Sequence, residues 1–196
     1  MSATHDDAPV AARVRHVETL LEQRGWLAAG EIDERIDAFA AGGSPAHGAA
    51  IVARAWVDPG FRARLLADAD TAIGELGYSM AGGLQEQQLT VVANTEDEHH
   101  VVVCTLCSCY PIALLGPSPG WYKSEAYRSR VVREPRAVLR DFGVELPATT
   151  RITVWDASAE SRYMVLPRRP DGTEGLDETA LAGLVTRKGL IGTAVV

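Results

Sequence analysis

All three cysteines of this chain fall within one short run, Cys104-Thr105-Leu106-Cys107-Ser108-Cys109. This clustering is what most constrains the fold. A disulfide-stapled scaffold would spread an even number of cysteines along the sequence. The chain must instead close its core by packing, and 196 residues of which 46% are hydrophobic are enough for that. In a reducing compartment, clustered cysteines point to metal or redox chemistry rather than to bridging.

The charge balance narrows the function classes. A formal net charge of −7 argues against a nucleic-acid binder, which needs a basic face to neutralise phosphates. Arginines do cluster locally, at Arg128, Arg130, Arg133, Arg136 and Arg140. They read either as a solvated, salt-bridged helix face or as a subunit contact. No apolar run approaches the roughly 18 residues of a membrane span. The segment Met1 to Pro9 is polar and acidic, unlike a secretory signal. The expected location is the cytoplasm.

Periodicity divides the chain into helices first and a mixed body afterwards. Val10, Val14, Val17, Leu20 and Leu21 form a helical stripe that Gly25 can end, and Ile32, Ile36 and Phe39 form a second. Ser44-Pro45 and Asp58-Pro59 are helix-start pairs, a capping side chain followed by proline at the first helical position. The spacing of Phe61, Leu65, Leu66, Ala69, Ile73 and Leu76 predicts one long helix stopped by Gly77.

Farther on, Leu89 to Ala93, Val101 to Cys104, Arg151 to Trp155, Tyr163 to Leu166 and Leu190 to Val195 read as strands. Glu134 to Phe142 reads as a helix, and Asp177 caps another that runs through Leu184. The expected fold class is α+β: an N-terminal helical arm over residues 1–43, then a layered α/β metal-binding body over 44–196. The first stripe reads equally as core or as an arm laid across another subunit.

The spacing C-x-x-C-x-C at the end of an apolar strand carries the chemistry. A redox C-x-x-C pair has no use for a third cysteine two residues later. A structural zinc site needs four ligands, and no second cysteine pair exists here. His99 and His100 lie before the strand end. In the contiguous run Cys107-Ser108-Cys109, a metal bound to both sulfurs also lies near the backbone nitrogens of Ser108 and Cys109. Deprotonated, those amides would complete a planar chelate, with the Cys104 sulfur axial and a sixth position open. Low-spin trivalent cobalt or iron gains most from such a set, and thiolates suit softer transition ions.

These residues, continuing through Tyr110-Pro111, resemble the metal-binding segment of nitrile hydratase α subunits. Further segments match in the same order: Val52-Ala53-Arg54-Ala55-Trp56, Val91-Val92-Ala93-Asn94-Thr95, Trp121-Tyr122-Lys123, Tyr127-Arg128-Ser129-Arg130, Val154-Trp155-Asp156 and Leu184-Val185-Thr186-Arg187. The resemblance covers roughly residues 10 to 195. It implies hydration of a nitrile to an amide at a non-corrin metal centre. Thr105 and Tyr110 match the cobalt type, which makes Co3+ the expected ion ahead of iron.

The resemblance also implies a sulfinic acid at Cys107, a sulfenic acid at Cys109, a thiolate at Cys104 and backbone-nitrogen ligation at Ser108. Such sulfur oxidation lies on the ordinary cysteine ladder. Attack on the nitrile carbon would come from metal-activated water or from the Cys109 sulfenate oxygen. Arginines of a β-type partner subunit would hold the oxidised cysteines, so activity would need that partner, and loading would involve a metallochaperone or activator. A non-catalytic metal-storage protein is the competing class.

One departure bears on substrate. Many cobalt members have tryptophan directly after Cys-Tyr-Pro, where this chain has Ile112. The exchange either widens a pocket wall for a larger nitrile or repacks locally. Two relatives share a departure there. The γ subunit of thiocyanate hydrolase often has arginine at this place. A three-subunit nitrile hydratase acting on a nucleoside-like nitrile suits apolar Ile112 better. Gln85, Tyr110 and Trp121 are further candidates for lining or backing the pocket. Asp156 and Arg162 read as buried partners or subunit contacts.

Overall fold

The computed structural model describes residues 8–80, 87–107 and 109–196. The chain divides into two compact units, 1–41 and 42–196.

The first unit holds α1 (Ala8–Gln23) and α2 (Glu31–Ala41). Gly25 follows α1 at φ +68°, and its N–H and that of Trp26 close on the Glu22 and Leu21 carbonyls. No residue of α1 is buried, and Val10, Val14 and Val17 of its apolar stripe stand more than half exposed. The start of α2 is stapled by Glu31, whose carboxylate accepts from the Ala28 N–H.

The second unit opens with helices begun as their caps predict. Ser44 accepts from the Ala46 N–H at the head of α3 (Pro45–Val57), and Asp58 accepts from the Phe61 N–H at the head of α4 (Pro59–Ala67). The long helix expected over 61–76 is instead two, because α5 (Ala69–Gly74) starts afresh at Asp68. There the backbone is extended, and the Asp68 carboxylate accepts both the N–H and the hydroxyl of Thr71. A local cap outcompetes an unbroken apolar stripe because it satisfies donors that a helix start leaves open.

Among the described residues four strands follow, in two parallel pairs. β1 (Gln88–Ala93) pairs with β4 (Ser161–Leu166), and β2 (Glu98–Val103) pairs with β3 (Arg151–Asp156). Val101, Val102 and Val103 of β2 are buried together with Met164, Val165 and Leu166 of β4. Such continuous apolar runs suit parallel strands covered on both faces. Between β2 and β3 come α6 (Ile112–Leu115), a 3-10 turn at Gly120–Lys123, α7 (Glu125–Val131) and α8 (Pro135–Asp141). The elements over 112–131 carried no periodic pattern long enough to be read in advance.

After β4 come α9 (Glu178–Leu184), capped by Asp177, and α10 (Arg187–Ile191). The strand expected over 190–195 is not formed. Thr186 caps α10 by accepting from the Gly189 N–H, and Gly192 ends it in the left-handed region at φ +85°. A Cβ on Gly192 would lie 1.9 Å from the His100 carbonyl oxygen, so the end of α10 presses directly on β2. The β-branched residues around this helix had suggested a strand, but packing against β2 and the two end signals decide for a helix. The α+β class stands.

Candidate metal centre

The register of β2 on β3 builds the site. Val103 stands opposite Asp156, and the Ala157 N–H donates to the Val103 carbonyl at 2.7 Å. The chain therefore leaves β2 at Cys104 beside the end of β3. Cys104 is fully buried, Cys109 half-buried and Cys107 exposed. Cys104 Sγ and Cys107 Sγ lie 3.3 Å apart, and Cys107 Sγ and Cys109 Sγ 3.1 Å apart. All three sulfurs fall within 4.8 Å of one another.

Side chains from three directions hold the loop. The Asp156 carboxylate accepts the Thr105 N–H at 2.8 Å and its hydroxyl at 2.5 Å. The Tyr122 hydroxyl donates to the Cys109 carbonyl at 2.9 Å. Arg128 Nη1 donates to the Cys107 carbonyl at 3.3 Å and reaches the Thr105 carbonyl at 3.5 Å. Within the loop, the Cys107 N–H donates to Cys104 Sγ at 3.2 Å. Tyr127 anchors α7 beneath this arrangement by donating to the Val102 carbonyl at 2.7 Å.

Burial pushes the Cys109 thiol up to about 12, helped by the hydrogen bond from Cys107 and the nearby Cys104. Arg162 opposes that rise. Its guanidinium donates to the Ser158 and Ala159 carbonyls, so Arg162 is a largely buried structural cation beside the sulfurs. Tyr110 is buried, its pKa raised by burial, and its hydroxyl has no hydrogen-bond partner among the described residues.

The other candidates separate. Ile112 is half-buried at the start of α6, and Gly43 packs so closely there that a Cβ would meet the Ile112 carbonyl oxygen at 2.1 Å. Trp121 packs edge-on against Tyr127 and Phe142, at centroid distances of 4.9 and 4.7 Å. Gln85 and Ser108 lie outside the described residues. His99 and His100 have their ring nitrogens committed to the fold. His99 contacts the Gly192 carbonyl and the Asn94 amide, and His100 accepts from the Trp155 indole.

The arginine cluster divides in the same way. Arg130 pairs with Asp141, Arg136 donates to the Leu146, Pro147 and Thr150 carbonyls, and Arg128 holds the cysteine loop. The sequence reading did not pick out Tyr122, Tyr127 and Arg128 as supports of the loop. They lay in two of the resembling segments, which is where a search could have found them.

Among the described residues, the group of three or more histidines, cysteines or carboxylates whose ligand atoms converge in this way is the cysteine trio. Bond geometry says what it suits. At a metal–sulfur distance of about 2.3 Å, two tetrahedral sulfurs lie about 3.8 Å apart, whereas two at a right angle lie about 3.2 Å apart. The observed 3.1 and 3.3 Å lie nearer the right-angled value. The fold and site thus define an α+β protein with a three-cysteine cluster able to hold a metal ion.

The comparisons identify the family. The family described as "Nitrile hydratase, alpha chain" matches residues 8–194. The cobalt-containing nitrile hydratase subunit alpha of Pseudonocardia thermophila is 50% identical over 184 residues, covering 93% of this chain and 89% of that one. A histidine double mutant of the Fe-type nitrile hydratase from Comamonas testosteroni Ni1 superposes with a TM-score of 0.89 at 39% identity, over 97% of this chain and 91% of that one. A recombinant thiocyanate hydrolase with partially modified cobalt centres gives a TM-score of 0.85 at 39% identity, over 98% and 90%. The chain belongs to the nitrile hydratase alpha-chain family.

Proposed function

We propose that this chain is the metal-carrying subunit of a cobalt nitrile hydratase that converts a nitrile and water into the amide. The observation that carries the reading is the pair of short sulfur separations, 3.3 and 3.1 Å, at the end of a buried strand. The sulfurs of Cys104, Cys107 and Cys109, with the backbone nitrogens of Ser108 and Cys109, would hold Co3+, with iron the less favoured ion. When bound, the metal supplies Lewis acidity toward the nitrile or water.

The chain's own residues do the rest. Metal binding would remove the thiol protons, including that of Cys109; Cys104, withdrawn from solvent, would then stay a thiolate, whereas exposed Cys107 and half-exposed Cys109 would be open to oxidation by dioxygen to sulfinic and sulfenic acid. The Cys109 sulfenate would then place an oxygen beside the substrate. Asp156 and Tyr122 keep the loop ends in place while this happens.

Leu106 supports a partner-dependent site. It stands 90% exposed in the middle of the loop, apolar surface that a β-type subunit supplying arginines to the oxidised cysteines would cover. A metallochaperone or activator would deliver the ion. In this reading residues 1–43 are an arm, residues 44–196 the metal-binding body, and the protein works in the cytoplasm, where the thiols start reduced. No helix among the described residues is long and apolar enough to cross a membrane.

Half-buried Ile112, with Gln85, Tyr110 and Trp121 as further pocket candidates, favours a bulky nitrile such as the nucleoside-like toyocamycin. The second reading, a γ-type thiocyanate hydrolase subunit, rests on the likeness to that enzyme. An apolar residue at position 112 disfavours it, because an anion would be met better by arginine.

The deciding experiment is metal analysis and intact mass of the chain coexpressed with its partners in cobalt medium, followed by turnover. Stoichiometric cobalt, the oxygens of one sulfinic and one sulfenic acid on the Cys107–Cys109 peptide, and nitrile turnover are expected. Stoichiometric zinc without added oxygen in an active complex would overturn the reading. Turnover of thiocyanate in place of a purine-like nitrile would favour the second.

A further inference from the structure

We propose that Arg128 is a positioning residue for the metal centre, holding the Cys107 carbonyl and with it the middle of the cysteine loop where the metal would sit. The proposal rests on the reading that this loop carries the metal.

The ordinary fate of a half-buried arginine on a short helix is an ion pair with a nearby acid. Two residues away, Arg130 does this with Asp141 at 2.8 Å. Arg128 instead donates to two carbonyls of the cysteine loop, those of Cys107 and Thr105. Its Nε is buried without a partner among the described residues, which costs free energy that an outward-turned side chain would avoid. The fold therefore keeps this guanidinium pointed at the loop. Tyr127, the preceding residue, fixes the aim by bonding the Val102 carbonyl on β2.

The chemistry of the peptide group explains why that oxygen matters. The Cys107 carbonyl and the Ser108 nitrogen share one conjugated unit. Ligation at that nitrogen would require loss of the amide proton to solvent, the amidate charge would be shared with the oxygen, and a hydrogen bond from a cation is strongest onto an oxygen enriched in this way. Arg128 thus holds the Cys107 carbonyl before metal arrives and would stabilise the charge that gathers on its oxygen afterwards. Asp156 and Tyr122 hold the loop at Thr105 and Cys109.

The test uses the complete complex, with wild type, Arg128→Lys and Arg128→Leu each produced with and without cobalt. In the cobalt-free complexes, amide hydrogen exchange over residues 104–110 reports loop order independently of metal. Several-fold faster exchange is expected in Arg128→Leu. In the loaded complexes, cobalt retention against a chelator should fall about ten-fold or more in Arg128→Leu, as for loss of other groups that orient a metal ligand. The sulfur-to-metal charge-transfer band should move to shorter wavelength, a change that loss of packing elsewhere would not produce.

Arg128→Lys keeps the charge on a single donor and should recover part of both effects. If Arg128→Leu does not assemble, the lysine variant decides by the same readouts. Wild-type exchange, retention and band position in an assembled variant would overturn the proposal. A wild-type complex that binds no cobalt would refute the functional reading instead, and the cobalt-free exchange would still report whether Arg128 orders the loop.

Discussion

Asp156 grips Thr105 twice, through the backbone N–H at 2.8 Å and the hydroxyl at 2.5 Å, at the point where the metal-binding loop leaves β2. The two residues are 51 positions apart in the chain and meet because β2 and β3 run parallel in a register that sets Val103 against Asp156. Asp156→Ala should leave the fold intact, since the residue is exposed and such changes usually cost less than about 1 kcal/mol. Cobalt retention of the complex should fall about ten-fold or more, with Asp156→Asn in between. Unchanged retention in a chelator competition would count against a role for this contact.

Tyr127 offers a contrast between stability and site. Its buried hydroxyl donates to the Val102 carbonyl, and burial raises its pKa. Tyr127→Phe leaves that buried carbonyl without its donor and should cost about 1–3 kcal/mol. Denaturant melts of the complex would measure it. A loss below a few tenths of a kcal/mol would mean that water replaces the hydroxyl.

Gly192 admits no side chain. Its backbone is left-handed at φ +85°, and a Cβ would lie 1.9 Å from the His100 carbonyl oxygen of β2. Gly192→Ala must both strain the backbone and push α10 away from β2. The loss should lie at the severe end of single substitutions, above about 4 kcal/mol. Soluble yield and melting temperature would show it, and a near-wild-type protein would contradict the close approach.

Acid should destabilise the fold in two windows. The Asn94 side-chain oxygen Oδ1 accepts the His100 backbone N–H, which turns the Asn94 amide nitrogen toward His99 Nδ1 and leaves His99 Nε2 to donate to the Gly192 carbonyl. His99 is thus held neutral, and burial lowers its pKa below the ordinary 6.5. Its contribution is full above that value and is lost as the pH falls through the lower folded value. Glu98 acts in the same direction but in more acid solution. The Arg151 guanidinium first and the Thr153 hydroxyl second lower its carboxyl from 4.5 to about 2, so its contribution holds above 4.5 and fades toward 2. Melting temperatures across pH should therefore fall in two stages. His99→Gln should flatten the upper stage and Glu98→Gln the lower, and a variant profile parallel to wild type would remove that residue from the account.

Much of the fold was legible in the sequence because its marks are local. Ser44-Pro45, Asp58-Pro59 and Asp177 start the helices they announce, and the β-branched runs around Val91, Val102, Val154 and Val165 are strands. Two readings failed where local marks conflicted. The stripe from Phe61 to Leu76 concealed the cap at Asp68, and the β-branched residues after Leu190 outweighed the signals at Thr186 and Gly192. In both places a side-chain cap or a close approach overrode the residue pattern.

The cysteine spacing by itself pointed to the trio and to the family it resembles, because residues two and three positions apart converge wherever the chain turns, as it does on leaving β2. Only the tertiary structure decided what holds that trio. Asp156, Tyr122 and Arg128 meet the loop through contacts 51, 13 and 21 residues apart in sequence. Which side chains arrive there depends on strand register and on the seating of α7, and a hydrogen bond of about 3 Å tolerates little error in either. Periodicity shows that a strand exists, but the partner against which it packs sets its register.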